Sequence, residues 1–159
     1  MELYLVQHGE AKPESEDPER PLTDRGSEMV RTMAAWAAQV GLKVDQIRHS
    51  GKRRAEQTAT LLAERLNPPQ GVIAVAGLKP NDDVRPVAKE LEGEQGSVML
   101  VGHLPHLSRL AGLLLTGDPD GTVIRFEMAG IVCLSNRGGR WTVNWLMPPD
   151  LLSSSGSAR

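Results

Sequence analysis

Two histidines stand at the ends of two apolar runs. His8-Gly9 follows Leu3-Tyr4-Leu5-Val6, and Gly102-His103-Leu104-Pro105 follows Val98-Met99-Leu100-Val101. Between them, after a candidate strand over residues 46–49, lies Ser50-Gly51-Lys52-Arg53-Arg54-Ala55-Glu56-Gln57-Thr58, a helix start carrying three consecutive cations. If the three strands are neighbours, their ends converge on one place. Two imidazoles and a guanidinium there would hold an anion: an imidazole is the neutral-pH nucleophile or proton carrier, and a guanidinium holds two oxygens of a phosphoryl group at once. A zinc site is the competing use of such histidines, since His103 and His106 are spaced i,i+3 and His8 and His49 end other strands. No cysteine or clustered carboxylate completes that ligand set, so no metal and no cofactor is expected.

The rest of the composition fits a soluble enzyme. With 159 residues the chain is of ordinary single-domain size, and we expect one domain over residues 1–149 with a Ser-rich, disordered tail over 150–159. The net charge of -2 lacks the basic excess that a nucleic-acid or anionic-membrane partner would favour, so any positive potential must be local. The lone Cys133 has no internal disulfide partner and reads as a small buried hydrophobe. With no basic start leading into an apolar segment, and no apolar stretch long enough to cross a bilayer, the expected location is cytoplasmic.

The elements that must position the histidines alternate strand and helix, which argues for an α/β architecture with parallel pairing and a ligand site at the carboxyl ends of the strands. Residues 10–21 form a polar, Pro-rich surface loop. Thr23 then reads as an N-cap, with Val30, Met33, Ala34 and Ala37 as the apolar stripe of a helix ending at Gly41. A second helix spans about residues 52–66, with Ala55, Ala59, Leu62 and Leu66 on one face. Asn81-Asp82-Asp83 precedes a short helix over 84–91, where either aspartate can cap while the other faces the site. The unbroken apolar run 98–101 predicts a central strand covered on both faces. Pro105 opens a helix running to Thr116, with Gly117 beyond it. Residues 122–126, 130–136 and 141–146 read as short strands, the last two joined by the hairpin signal Arg137-Gly138-Gly139-Arg140.

Taken together, these segments resemble the histidine phosphatase superfamily, and within it the small SixA-like phosphohistidine phosphatases, over nearly the whole chain. The family's Arg-His-Gly is matched by Gln7-His8-Gly9, with Pro21-Leu22-Thr23 matching the start of the family's next helix. Its Ser-Pro-x-x-Arg-Ala-x-Gln-Thr is matched from Ser50 to Thr58, with Gly51 in the proline position, and its second histidine motif by Gly102 to Pro105. The resemblance implies a phosphoglycerate mutase-like, three-layer fold with a mostly parallel central sheet between helices. It also implies a phosphatase in which His8 attacks phosphorus and becomes a transient phosphohistidine that water hydrolyses. Arg54, at the motif's arginine position, would clamp the phosphoryl oxygens, and His103 would contact the same group as a cation once the phosphate dianion is present. Phosphate or another oxyanion is thus expected on Gln7, His8, Arg54 and His103.

Gln7 is the departure, since an amide donates hydrogen bonds but supplies no charge, which puts rate and leaving-group range in question. Lys12 is a candidate source of the missing charge. Asp83 is the preferred candidate for a general acid, ahead of Glu10. A weak acid suits a substrate with a good leaving group: transfer from a phosphohistidine to His8 exchanges one P–N bond for another. The chain also has no insertion long enough to roof a small metabolite. The expected substrate is therefore a histidine-phosphorylated protein. A small-molecule phosphomonoesterase and a phosphate-binding module with little turnover are the alternatives.

Overall fold

The computed structural model describes residues 1–153. Its centre is a six-stranded sheet of β1 (Glu2–Gln7), β2 (Gln46–His49), β3 (Val72–Ala74), β4 (Ser97–Gly102), β5 (Ile131–Arg137) and β6 (Arg140–Met147), in the order β3-β2-β4-β1-β5-β6. The pairings β3-β2, β2-β4 and β4-β1 are parallel, while β5 runs antiparallel to β1 and β6 to β5. The helices are α1 (Asp24–Gln39), α2 (Arg53–Leu66), α3 (Arg85–Glu92), α4 (His106–Thr116) and the short α5 (Asp150–Ser153).

Strand residues point alternately to opposite faces, and that alternation divides the core in two. Tyr4, Val6, Met99, Val101, Ile131 and Cys133 join Val30, Met33 and Ala37 of α1 and Ala55, Ala59 and Leu62 of α2. Leu3, Leu5, Val98, Leu100, Val132 and Leu134 join Val87 and Leu91 of α3 and Leu107 and Leu110 of α4. A sheet buried on both faces needs continuous apolar strands, which is why β1 and β4 read as unbroken hydrophobic runs. The result is the three-layer arrangement expected, with α1 and α2 on one side and α3 and α4 on the other.

Local signals hold as well. Thr23 caps α1, its hydroxyl oxygen accepting from the Gly26 N–H at 2.9 Å. Gly117 ends α4 at φ 81, and Gly138 and Gly139 turn the β5-β6 hairpin at φ 62 and 84, values that tight hairpins require and that glycine adopts without strain.

Three expectations need correction. Residues 122–126 form no strand: β1 is already paired on both edges, so the segment finds no ladder, and only Ile124 is buried while Phe126 is half-buried. A single bridge joins Met128 to Gln7, beside a hydrogen bond from Ala129 N to Gln7 O at 2.8 Å. Strand β3 went unread because it is only three residues long and half exposed on an edge. Finally, residues 150–153 are helical rather than part of a loose tail, since Leu152 packs against the α1/α2 core and its N–H reaches Pro149 O. The remaining expected disorder, over 154–159, lies outside the described residues. Among the described residues no helix is long and apolar enough to cross a membrane.

Candidate active site

Because β2, β4 and β1 are adjacent and parallel, their carboxyl ends deliver Ser50, His103 and His8 to one edge of the sheet. The register sets Gln7 beside Gly102, and His8 N donates to Gly102 O at 3.0 Å, so the two histidines leave their strands side by side. Their rings lie 5.0 Å apart between centroids, inclined at 51°.

His8 is buried, and its Nδ1 lies 2.7 Å from Gly9 O. A carbonyl can only accept, so Nδ1 carries the ring proton and Nε2 keeps its lone pair. Burial, reinforced by the charges of Arg54 and Arg20, pushes the His8 pKa down to about 4, against the opposing pull of the Gly9 hydrogen bond. The imidazole is therefore neutral at physiological pH. Its backbone is clamped from two sides. Gly9 N donates to the buried Thr58 Oγ1 at 3.0 Å, and a Cβ on Gly9 would come within 2.8 Å of Val30. Thr58 in turn donates to Arg54 O, and Gln57 Oε1 accepts from Leu22 N at 2.7 Å. The Gln57-Thr58 pair thus ties the start of α2 to the loops leaving β1.

His103 is almost fully buried, with Nε2 2.6 Å from Ser50 Oγ. Burial first, then the neighbouring His8, Arg54 and Lys52, brings its pKa down to about 3. A bound dianion would oppose those positive neighbours and favour the cation. Ser50 Oγ also accepts from Lys52 N, setting the start of α2. Gly51, where the family pattern has proline, stands at φ 90 and donates its N–H to His49 Nδ1 at 3.0 Å; proline could do neither. The buried His49 is thereby held as a structural acceptor.

Arg54 is half-buried, and its Nε is buried without a hydrogen-bond partner. A second guanidinium, Arg20, lies close enough to lower the pKa of both His8 and Arg54. No motif marks it, because it belongs to the polar loop after β1. That loop is closed at its base by Lys12 N to Pro21 O at 2.8 Å and by the Ala11–Leu22 bridge. Arg20 itself is fixed by its Nε donating to Lys12 O at 3.1 Å and sits at φ 49, a conformation costing a non-glycine residue about 1 kcal/mol. Among the described residues, neither Arg20 nor Arg54 forms a salt bridge to a carboxylate. Two unpaired guanidiniums beside two neutral imidazoles make a site for an oxyanion.

Gln7, beside His8, lines an adjoining groove, and its Oε1 is buried without a hydrogen-bond partner. Arg53 is exposed beside Glu56. Asp83 stands outside the cluster, exposed at the start of α3, where Oδ1 accepts from Arg85 N at 3.0 Å. Its carboxylate is engaged just ahead of α3, whose N-cap Val84 has no side-chain cap bond, and among the described residues no carboxylate contributes to the lowered pKa of His8 or His103. Glu10 Oε1 is engaged by the Thr23 hydroxyl at 2.8 Å.

Known proteins share the sequence pattern and the fold. Residues 3–79 match the family model of the histidine phosphatase superfamily (branch 1). The structure of the protein histidine phosphatase SixA complexed with tungstate superposes with a TM-score of 0.84 at 31% identity, covering 96% of this chain and 99% of that one. The chain belongs to the histidine phosphatase superfamily. Phosphohistidine phosphatase SixA of Escherichia coli (strain K12) is 29% identical over 154 residues, 94% of each chain. The fold is shared more widely: an alpha-ribazole phosphatase from Shigella flexneri matches with a TM-score of 0.73 at 16% identity, over 94% of this chain and 97% of that one.

His106 shows what the site does not use. It is fully buried on α4 with both ring nitrogens lacking hydrogen-bond partners; the Gly77 backbone acts on the ring without reaching hydrogen-bonding geometry. A buried polar group left unpaired costs about 1–3 kcal/mol, so His106→Leu should raise unfolding stability by ~1 kcal/mol in a urea titration. A loss of stability would show that the ring is satisfied after all.

Proposed function

We propose that this protein hydrolyses phosphohistidine on a protein substrate. In this reading His8 Nε2 attacks phosphorus as the substrate's P–N bond breaks. The departing imidazole leaves neutral, carrying a proton taken up from solvent on its other nitrogen. Water then attacks the phosphoryl group on His8, the Nε2–P bond breaks, and inorganic phosphate leaves while His8 returns to its neutral form. Arg54, Arg20 and His103 hold the phosphoryl oxygens, whose charge is what the protein must stabilise in such a transfer.

The observation that carries this reading is the pairing of a neutral, tautomer-fixed His8 with two guanidiniums that form no salt bridge and, among the described residues, no carboxylate acting on either histidine. An alkoxide leaving group needs an acid at hand; an imidazole protonated from solvent does not, because its pKa lies near neutrality. The likeness to SixA, a phosphohistidine phosphatase by name, supports the same substrate class.

The test is hydrolysis of a histidine-phosphorylated carrier domain beside glycerol phosphate and p-nitrophenyl phosphate, all in EDTA. We expect kcat/KM for the carrier to exceed that for either ester by about tenfold or more. Faster cleavage of an ester would turn the assignment to a phosphomonoesterase, and phosphate binding without turnover of any substrate would turn it to a binding module.

A further inference from the structure

Beside the phosphoryl site lies a groove of about 550 Å³ that none of the proposed chemistry occupies. It meets the site through Gln7 and Leu104, the chain neighbours of His8 and His103, and its apolar lining is completed by Met29, Phe126, Met128 and Pro149. Charges of both signs edge it, Arg25 and Arg125 with Glu10 and Glu127. Two of the apolar side chains stand well out of the surface: Leu104 is 40% exposed and Met128 45%.

Resting on the phosphohistidine reading above, we propose that this groove is the docking subsite for the substrate protein, taking apolar side chains that flank the phosphohistidine on that protein's surface. The phosphoryl group belongs among His8, His103, Arg54 and Arg20, so the body attached to the leaving nitrogen must rest on the surfaces adjoining them; Arg20 and Arg54 line a separate, charged pocket, whereas Gln7 and Leu104, the chain neighbours of the two histidines, line the groove. A lone imidazole ring fills only a small part of the space. A small metabolite would leave the outward faces of Leu104 and Met128 wet, whereas a protein surface covers them. Exposed apolar side chains ringed by polar ones are the ordinary composition of a protein contact. Methionine adapts its shape to the partner, and the mixed rim charges suit a polypeptide better than a uniformly anionic metabolite. The groove owes its form to the segment that failed to become a strand: residues 125–128 cross the end of β1 and present Phe126 and Met128 beside Gln7.

The experiment compares wild type with Met128→Ser, Leu104→Ser and the double variant on two substrates. One is a histidine-phosphorylated carrier domain. The other is phosphoramidate, which offers the same P–N bond with ammonia as leaving group and cannot reach the groove. For the carrier we expect KM in the double variant to rise about tenfold at nearly unchanged kcat, with Met128→Ser alone giving part of that rise. For phosphoramidate kcat/KM should stay within about twofold of wild type. An unchanged KM for the carrier overturns the proposal, and so does an equal loss on both substrates, which would mean that the substitutions act on the chemistry. Failure of the underlying reading looks different: wild type itself would leave the phosphorylated carrier intact.

Discussion

Replacing His8 by alanine should lower turnover of a histidine-phosphorylated protein by about 10⁴-fold or more, the scale seen when a covalent nucleophile is removed and only binding and electrostatic stabilisation remain. Nothing else at this edge of the sheet can take its place. His103 has Nε2 engaged with Ser50, and its pKa of about 3 makes it a poorer base than His8. The anion site should survive the substitution, because Arg54 and Arg20 sit on other elements, so phosphate should still raise the melting temperature of His8→Ala. Wild type quenched during turnover should carry an acid-labile, alkali-stable phosphoryl label that His8→Ala lacks. The ring chemistry can be followed directly. With a pKa near 4, His8 stays neutral throughout the physiological range and loses its lone pair only as pH falls through that value. In nitrogen NMR it should therefore show the Nδ1–H tautomer at pH 7 and protonate near pH 4, well below an ordinary histidine. Protonation near 6.5 would mean that burial and the two guanidiniums do not act as the structure indicates.

What could be read from sequence and what could not divides by the range of the interaction. Strands β1 and β4 are legible because a strand covered on both faces must be apolar throughout, and a histidine just beyond its end needs no tertiary information to be noticed. Arg54 is legible from the spacing Ser50 to Thr58. Arg20 is not: a single arginine in a polar loop reads as solvated, and only the path fixed by Lys12–Pro21 and Ala11–Leu22 brings it to the site. Ser50 is hidden in the same way, its partner lying 53 residues away. Residues 122–126 are rich in β-branched and aromatic side chains as a strand is, yet pairing needs a free edge, and edge availability is a property of the whole sheet. Asp83 shows a further limit, since one aspartate before a helix serves equally as cap or as acid until the backbone direction is known. Here its carboxylate is engaged by Arg85 N.

If Arg20, whose charge acts on His8 and Arg54, offsets the charge that Gln7 lacks, the consequence can be measured. Where the family pattern places a charge on β1, this chain supplies a guanidinium from the loop that follows. Arg54→Ala should lower kcat/KM by about 10²–10³-fold, the loss expected for a preorganised charge facing the developing transition state, and Arg54→Lys should recover little because an ammonium cannot hold two oxygens in one plane. Arg20→Ala should cost about 10–100-fold, the worth of a charge-assisted hydrogen bond. If Arg20 fills the role that the family assigns to position 7, the two positions are not independent. Gln7→Arg should then return about tenfold in the Arg20→Ala background while changing the wild-type rate by less than about threefold. A gain in wild type as large as in the variant would make the effects additive, and Arg20 would then be a distant charge rather than the replacement for a missing one. That outcome depends on geometry the sequence does not disclose: a loop tied at its base, a guanidinium held by Lys12 O, and two charges acting on His8, neither in a salt bridge among the described residues.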